Sequence, residues 1–234
     1  MGRHFEVRAA AMAATAKAKS AIYMRASKEI YAAAKSGIPD PESNLALRSA
    51  IEKYRKTCPR DVIERAIEKA KGGDAVAYIP GRYEFFGAGG SFVIVDTLSD
   101  NVNRALVSVR TIVTRKGGKM GSVEYNFQML GVIDFKGTNH DEVEENLILG
   151  DVDVQSVDLE NGEIEVRVNP SDFEKAKKVL SDMGITEFDN AQTTLVPNEY
   201  ITLNDEDLAK FKKMLEELDE CEDVQAVYHN VENA

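Results

Sequence analysis

The sequence predicts an α+β protein of three domains: an N-terminal helical bundle and two α/β domains, one inserted in the other. Three observations predict it. Residues 1 to about 73 carry only helical periodicity and stop at Gly72-Gly73. From Ala75 the apolar period shortens to that of strands. Residues 131–197 then read β-α-β-β-α-β, the order of a ferredoxin-like fold, between flanks that are each too short to close a sheet.

The helical part comes first. Residues 9–36 are rich in alanine, a strong helix former, with Ile22, Ile30 and Ala33 beside Tyr23 and Tyr31 as an apolar stripe. Gly37, Pro39 and Pro41 end this helix. Ser43 is the expected cap of a second helix, SNLALRSAIEKYRKT, with Leu47, Ile51 and Tyr54 inward. Pro59 suits the first turn of a third helix, which buries Val62, Ile63, Ala66 and Ile67.

In the α/β part, RYEFF (82–86) and SFVIVDTLS (91–99) are strands joined by Gly87-Ala88-Gly89-Gly90. A glycine cluster can cradle phosphate when a helix follows. Here a strand follows, so the cluster reads as a hairpin turn. Asp100 is the expected cap of a helix in which Val102, Leu106, Val109 and Val113 share a face and Gly117-Gly118 is the stop. SVEYNF (122–127) and GVIDFKG (131–137) are expected strands, followed by a helix at 141–149 and a hairpin at 154–168 that turns at Asn161-Gly162. A helix capped by Ser171, strands at 186–197 and 200–203, an acidic helix capped by Asn204 and a last strand at 225–231 complete the chain. The expected domains are 1–78, 79–130 with 199–234, and an inserted 131–198.

Net charge is −11, but it is split. Residues 1–72 hold 15 Lys and Arg against 8 Asp and Glu, a balance of +7; the rest holds 14 against 32, a balance of −18. A basic end can attract a polyanion although the whole protein is acidic. The same charge also suits the solvated surface of any helical bundle. No apolar run approaches the ~20 residues that span a bilayer, and no unbroken apolar segment marks a secretory signal, so no membrane partner is expected. An alanine- and arginine-bearing start imitates a transit peptide, but it runs directly into the first helix.

Little in the sequence points to catalysis. Cys58 and Cys221 lie far apart, as do His4, His140 and His229, so neither a CxxC framework nor a zinc set is present. The carboxylates come in runs, as at 141–145 and 216–223, which read as solvated helix faces. His229 reads as a hydrogen-bonded structural residue, since no activated nucleophile accompanies it. Phe85, Phe86, Tyr125 and Phe127 lie in expected strands, where they either pack the core or stack bases. The expectation is no catalytic residue, cofactor, metal or small-molecule substrate. What remains is the basic helical domain, in which Arg3, Arg8, Lys17, Lys19, Arg25, Lys28, Arg48, Lys53, Arg55, Lys56 and Arg60 can reach phosphates.

These stretches together resemble the YebC/PmpR family over essentially the whole chain. The carrying segments are MGR with Phe5, DPESNLALRSAIEK (40–53), PRDVIERAIEKAKGG (59–73), RYEFFGAGGSFVIVDTLSDNVNR (82–104), RKGGKMGSVEYNF (115–127) and DVQAVYHNV (223–231). The MGR start and GIPDP segment are more similar to its YeeN-type branch. The resemblance implies a cytoplasmic, non-enzymatic protein in which both α/β domains are ferredoxin-like. Family members are described as DNA-binding transcriptional regulators, and others as translational activators on the ribosome. Two departures stand out: Phe5 replaces a usual tryptophan, and AAAMAATA (9–16) dilutes a usual lysine cluster.

The function expected is therefore DNA-binding transcriptional regulation through the basic helical domain; the alternative is a translation factor that binds ribosomal RNA or ribosomal proteins. Asp100, Asn101, Asn103 and Arg104 are expected either to cap a helix at a domain interface or to contact a ligand.

Overall fold

The computed structural model describes residues 3–72 and 77–234, with side chains from Lys19 onward. The chain falls into two compact units, Met1–Glu124 with Ile201–Ala234, and Tyr125–Tyr200.

The first unit opens with three helices, α1 (Arg3–Lys35), α2 (Leu45–Tyr54) and α3 (Arg60–Lys71). α2 and α3 pack on the C-terminal half of α1, and Ala26, Ile30, Tyr31, Leu47, Ile63 and Ala66 form their core. Asn44, not Ser43, caps α2: its Oδ1 accepts from Leu47 N at 3.0 Å, while its Nδ2 donates to Ala33 O and Ile38 O at 2.9 and 3.0 Å. One amide thus caps α2 and closes the turn after α1, which a serine hydroxyl is too short to do. Ser43 instead donates to Asp40 at 2.9 Å.

The same unit continues with β1 (Ile79–Phe86), β2 (Phe92–Ser99), α4 (Val102–Arg115) and β3 (Lys119–Met120). It is completed after the second unit by α7 (Asp205–Asp219) and β8 (Val224–His229). The strands form an antiparallel sheet in the order β3-β1-β2-β8. α4 and α7 lie on its Phe85, Val93 and Val95 face, where they bury Val109, Val113, Phe211, Met214 and Leu218. Residues 200–203 contribute only a parallel bridge, Ile201 to Val231, rather than a strand.

The expected strand at 122–127 does not form. The Glu84 carboxylate accepts from Val123 N and Glu124 N at 2.6 and 2.7 Å, and Gly121 N donates to Glu84 O. Donors that a ladder would need are used by one residue of β1, and the chain takes a short 3-10 turn at Glu124–Asn126 instead.

The second unit holds β4 (Phe127–Lys136), α5 (His140–Leu149), β5 (Val154–Glu160), β6 (Glu163–Val168), α6 (Phe173–Asp182) and β7 (Asn190–Pro197). Its antiparallel order is β5-β6-β4-β7, the ferredoxin-like arrangement. α5 and α6 cover the Ile133, Phe135, Ile164 and Val166 face. Asn161 and Gly162 both have positive φ, 51° and 85°, as a two-residue hairpin requires. Ser171 does not cap α6; Asn169 caps the 3-10 turn before it, accepting from Ser171 N at 3.1 Å.

Candidate nucleic-acid interface

A three-helix bundle buries one stripe of each helix and leaves the rest of each surface to polar side chains. The side chains of Arg3, Arg8 and Lys17 lie outside the described residues. Lys19, Arg48, Arg55, Lys56 and Arg60 are exposed. Arg48 is pinned over the proline turn by hydrogen bonds to Pro41 O and Glu42 O at 3.1 and 2.7 Å, which orient the guanidinium without neutralising it. Arg55 lies seven residues on, about two turns along the same face of α2. Neither has a carboxylate partner among the described residues. Arg60 is 91% exposed and pairs with Glu64 at 2.7 Å, an arrangement that costs little to open.

Lys53 is more constrained. It pairs with Glu29 at 2.9 Å, and the same carboxylate accepts from the Tyr54 hydroxyl at 2.7 Å. Burial, reinforced by Glu29, pushes the Tyr54 phenol well above its ordinary range.

Arg25 and Lys28 are placed differently from the expectation. Arg25 Nε donates to Val224 O at 3.0 Å and Nη2 to Asp219 O at 2.6 Å, while Nη1 pairs with the Asp219 carboxylate at 2.8 Å. Lys28 Nζ donates to Glu222 O at 2.7 Å and to Asp223 Oδ1 at 3.1 Å. The acceptors sit at the C-terminal end of α7 and just beyond it, where the helix dipole favours cations. These two side chains fasten α1 to the turn before β8, and their charges are engaged there by main-chain carbonyls and carboxylates.

The other end of this fastening is Arg104. It donates to both oxygens of Asp223 at 3.2 and 3.1 Å, to Ser99 Oγ at 3.2 Å and to Asp100 Oδ1 at 2.8 Å. Those hydrogen bonds hold the guanidinium in its charged form. Asn101, rather than Asp100, caps α4, accepting from Arg104 N at 3.0 Å. The Ser99 hydroxyl, which accepts from Asn101 N at 3.0 Å, sets that register. Asn103 is exposed on the outer side of α4.

Asp223 joins the two halves. Its side chain is only 2% exposed. Burial pushes its carboxyl pKa up, but hydrogen bonds from Arg104, Lys28 and Ser99 outweigh this and leave it below the ordinary carboxylate value. Sequence reasoning read the whole run 216–223 as solvated, and at Asp223 that reading fails. The available signal was position: Asp223 is the last acid before the apolar strand β8.

The remaining candidates are structural in their contacts. Val231 N donates to His229 Nδ1 at 3.3 Å, and the ring packs edge-on against Phe211. Burial lowers the His229 pKa and raises that of the Cys58 thiol. Of the four strand aromatics, Phe85 and Phe127 are buried, Phe86 is half-buried and Tyr125 is exposed. No helix among the described residues is long and apolar enough to cross a membrane.

Comparison with known proteins bears on the whole chain. Residues 3–73 match the family model described as the TACO1/YebC protein N-terminal domain, and residues 78–231 match that of the TACO1/YebC second and third domain. The chain is 44% identical over 237 residues to the "Probable transcriptional regulatory protein YeeN" of Escherichia coli strain K12, with 100% of each covered. It is 43% identical over 237 residues to the "Probable transcriptional regulatory protein YcdB" of Lactococcus lactis, again with 100% of each covered. Among solved structures it is similar to the conserved hypothetical protein Aq1575 of Aquifex aeolicus, with a TM-score of 0.76 and 30% identity over 91% of this chain and 90% of that one. Matched from its helical bundle to its last strand, the chain belongs to the TACO1/YebC family.

Proposed function

We propose that the chain is a DNA-binding transcriptional regulatory protein of the cytoplasm that performs no catalytic step and meets nucleic-acid phosphates through its helical domain. The observation that carries this reading is the pair Arg48 and Arg55, exposed on one face of α2 with no carboxylate partner among the described residues. The names of its relatives in Escherichia coli and Lactococcus lactis support a regulatory role. The charge split supports the choice of domain, since the +7 balance lies in residues 1–72. Groups with displaced pKa values, such as Tyr54, Asp223 and His229, are engaged in packing and fastening, which supports a role without catalysis.

Phosphate contacts of this kind position a protein without reading sequence, and they weaken as salt displaces them. The test is titration of the full chain with labelled duplex DNA across a salt series. Binding at low salt that falls steeply as salt rises, with a shallower slope in R48E/R55E, is the expected result. Salt-insensitive binding, or none at low salt, would refute the reading.

A further inference from the structure

The acidic majority of the chain contains one stretch of opposite sign. From Asn101 to Val123 there is no Asp or Glu, and five cations occur, within a region that otherwise holds carboxylates in more than twofold excess. Arg104 is committed to Asp223. The other four lie on the second half of α4 and the turn into β3. Arg110 is exposed mid-helix and has no ion pair among the described residues. Arg115 is 62% exposed and 3.5 Å from Glu217, and Lys116 reaches the same carboxylate at 2.7 Å, so one acid serves two cations. Lys119 stands exposed on the outermost strand of its sheet, its Nζ 5.6 Å from the Phe86 ring centroid.

Ordinary structural roles account for only part of this. The dipole of α4 favours Arg115 and Lys116 at its C-terminus but gives no reason for Arg110, which lies more than a turn earlier. An edge lysine discourages strand pairing, which suits Lys119 but requires no arginine on α4. The turn between them is also open on its outer side. Gly117 has φ of 88° with no atom within 4 Å of where a Cβ would stand, while Gly118 seats the turn against Val113 and Phe86 O. Screening at physiological salt acts over ~8 Å, so the local sign of a surface counts for more than the distant excess of carboxylates.

We infer that the α4–β3 corner is a second nucleic-acid contact, built for the phosphodiester backbone and separate from the helical domain. Arg110 and Lys119 supply its unneutralised charges, Arg115 and Lys116 share the single carboxylate of Glu217, and the glycine turn lets a nucleic-acid strand approach the protein backbone closely. Duplex DNA and RNA offer the same phosphates. This site does not require the helical domain to bind, and it extends the proposed function if both do.

Fluorescence anisotropy of the full chain with labelled duplex DNA, and separately with labelled RNA of the same length, tests it across a salt series. Three variants with equal charge change are compared: R110E/K119E at the corner, R48E/R55E on α2, and K136E/K178E on exposed positions of the second unit. R110E/K119E is expected to weaken binding at least ~10-fold at low salt and to flatten the log–log salt slope by about two contacts. K136E/K178E is expected to change affinity less than ~3-fold, as bulk charge alone would. The neutral R110Q/K119Q should flatten the slope equally, and it substitutes if the reversed pair does not melt like the parent. A loss no larger at the corner than in K136E/K178E, on both nucleic acids, overturns the inference. If R110E/K119E alone loses binding, the corner stands and the helical-domain reading falls. If R48E/R55E alone does, the reverse holds; if the parent chain binds neither nucleic acid, both fall. The arm that responds identifies DNA or RNA as the source of the phosphates.

Discussion

Replacing Asp223 with alanine should loosen the fastening between the helical domain and the sheet that follows it. The carboxylate is almost fully buried and takes charge-assisted hydrogen bonds from Lys28 at 3.1 Å and from Arg104 at 3.2 and 3.1 Å. Removing one partner of a buried ion pair costs about 3–5 kcal/mol. The loss here is smaller, because Lys28 keeps Glu222 O and Arg104 keeps Asp100. About 2–3 kcal/mol is therefore expected from D223A, or roughly 4–12 °C in the melting temperature of a chain this long. Thermal melts by circular dichroism at pH 7 measure it. The acid dependence provides a second readout. With its folded pKa lowered, Asp223 stabilises fully above the unfolded carboxylate value of about 3.9, and that stabilisation is lost as pH falls through the folded value. The gap between parent and D223A should stay constant from neutral pH to about pH 5 and narrow below about pH 4. A drop under ~2 °C at pH 7, or a gap indifferent to acid, would refute the idea that this carboxylate holds the two elements together.

Other substitutions follow from the same contacts. N44A removes the α2 cap and the bonds to Ala33 O and Ile38 O, and should cost about 2 kcal/mol in a urea titration with the slope unchanged. Burial depresses the His229 pKa, so the unfolded chain takes up its proton first as pH falls below about 6.5. Stability between about pH 6.5 and 5 should therefore decline less in H229F than in the parent, read from melting temperatures across that window. G118A would place a Cβ 2.5 Å from Val113 Cγ1 and 2.9 Å from Phe86 O; because a backbone oxygen cannot swing aside, about 1–3 kcal/mol of destabilisation is expected by calorimetry.

Much of this fold was legible because it rests on local signals. The Asn161-Gly162 turn, the alanine-rich α1 and the β-α-β-β-α-β order of the second unit each follow from residues close in sequence. The misses share a different cause. Asn44 and Asn101 cap their helices one residue away from the expected caps, Ser43 and Asp100: the Asn44 amide also donates to Ala33 O and Ile38 O, which a serine cannot reach, and Asp100 is engaged by the Arg104 guanidinium instead. The strand expected at 122–127 is displaced by the carboxylate of Glu84, some forty residues earlier. Arg25 and Lys28 looked like surface cations because their acceptors lie more than 190 residues away. Asp223 was hidden in an acidic run, where charge patterning cannot distinguish one buried member from its solvated neighbours.

Crosslinking in cells, followed by sequencing of bound DNA and RNA together, bears most directly on whether the helical domain meets DNA. Enrichment of DNA fragments that diminishes in R48E/R55E while the protein remains abundant is the predicted result. Recovery dominated by ribosomal RNA, with DNA at background, would contradict it and place the chain on the ribosome instead.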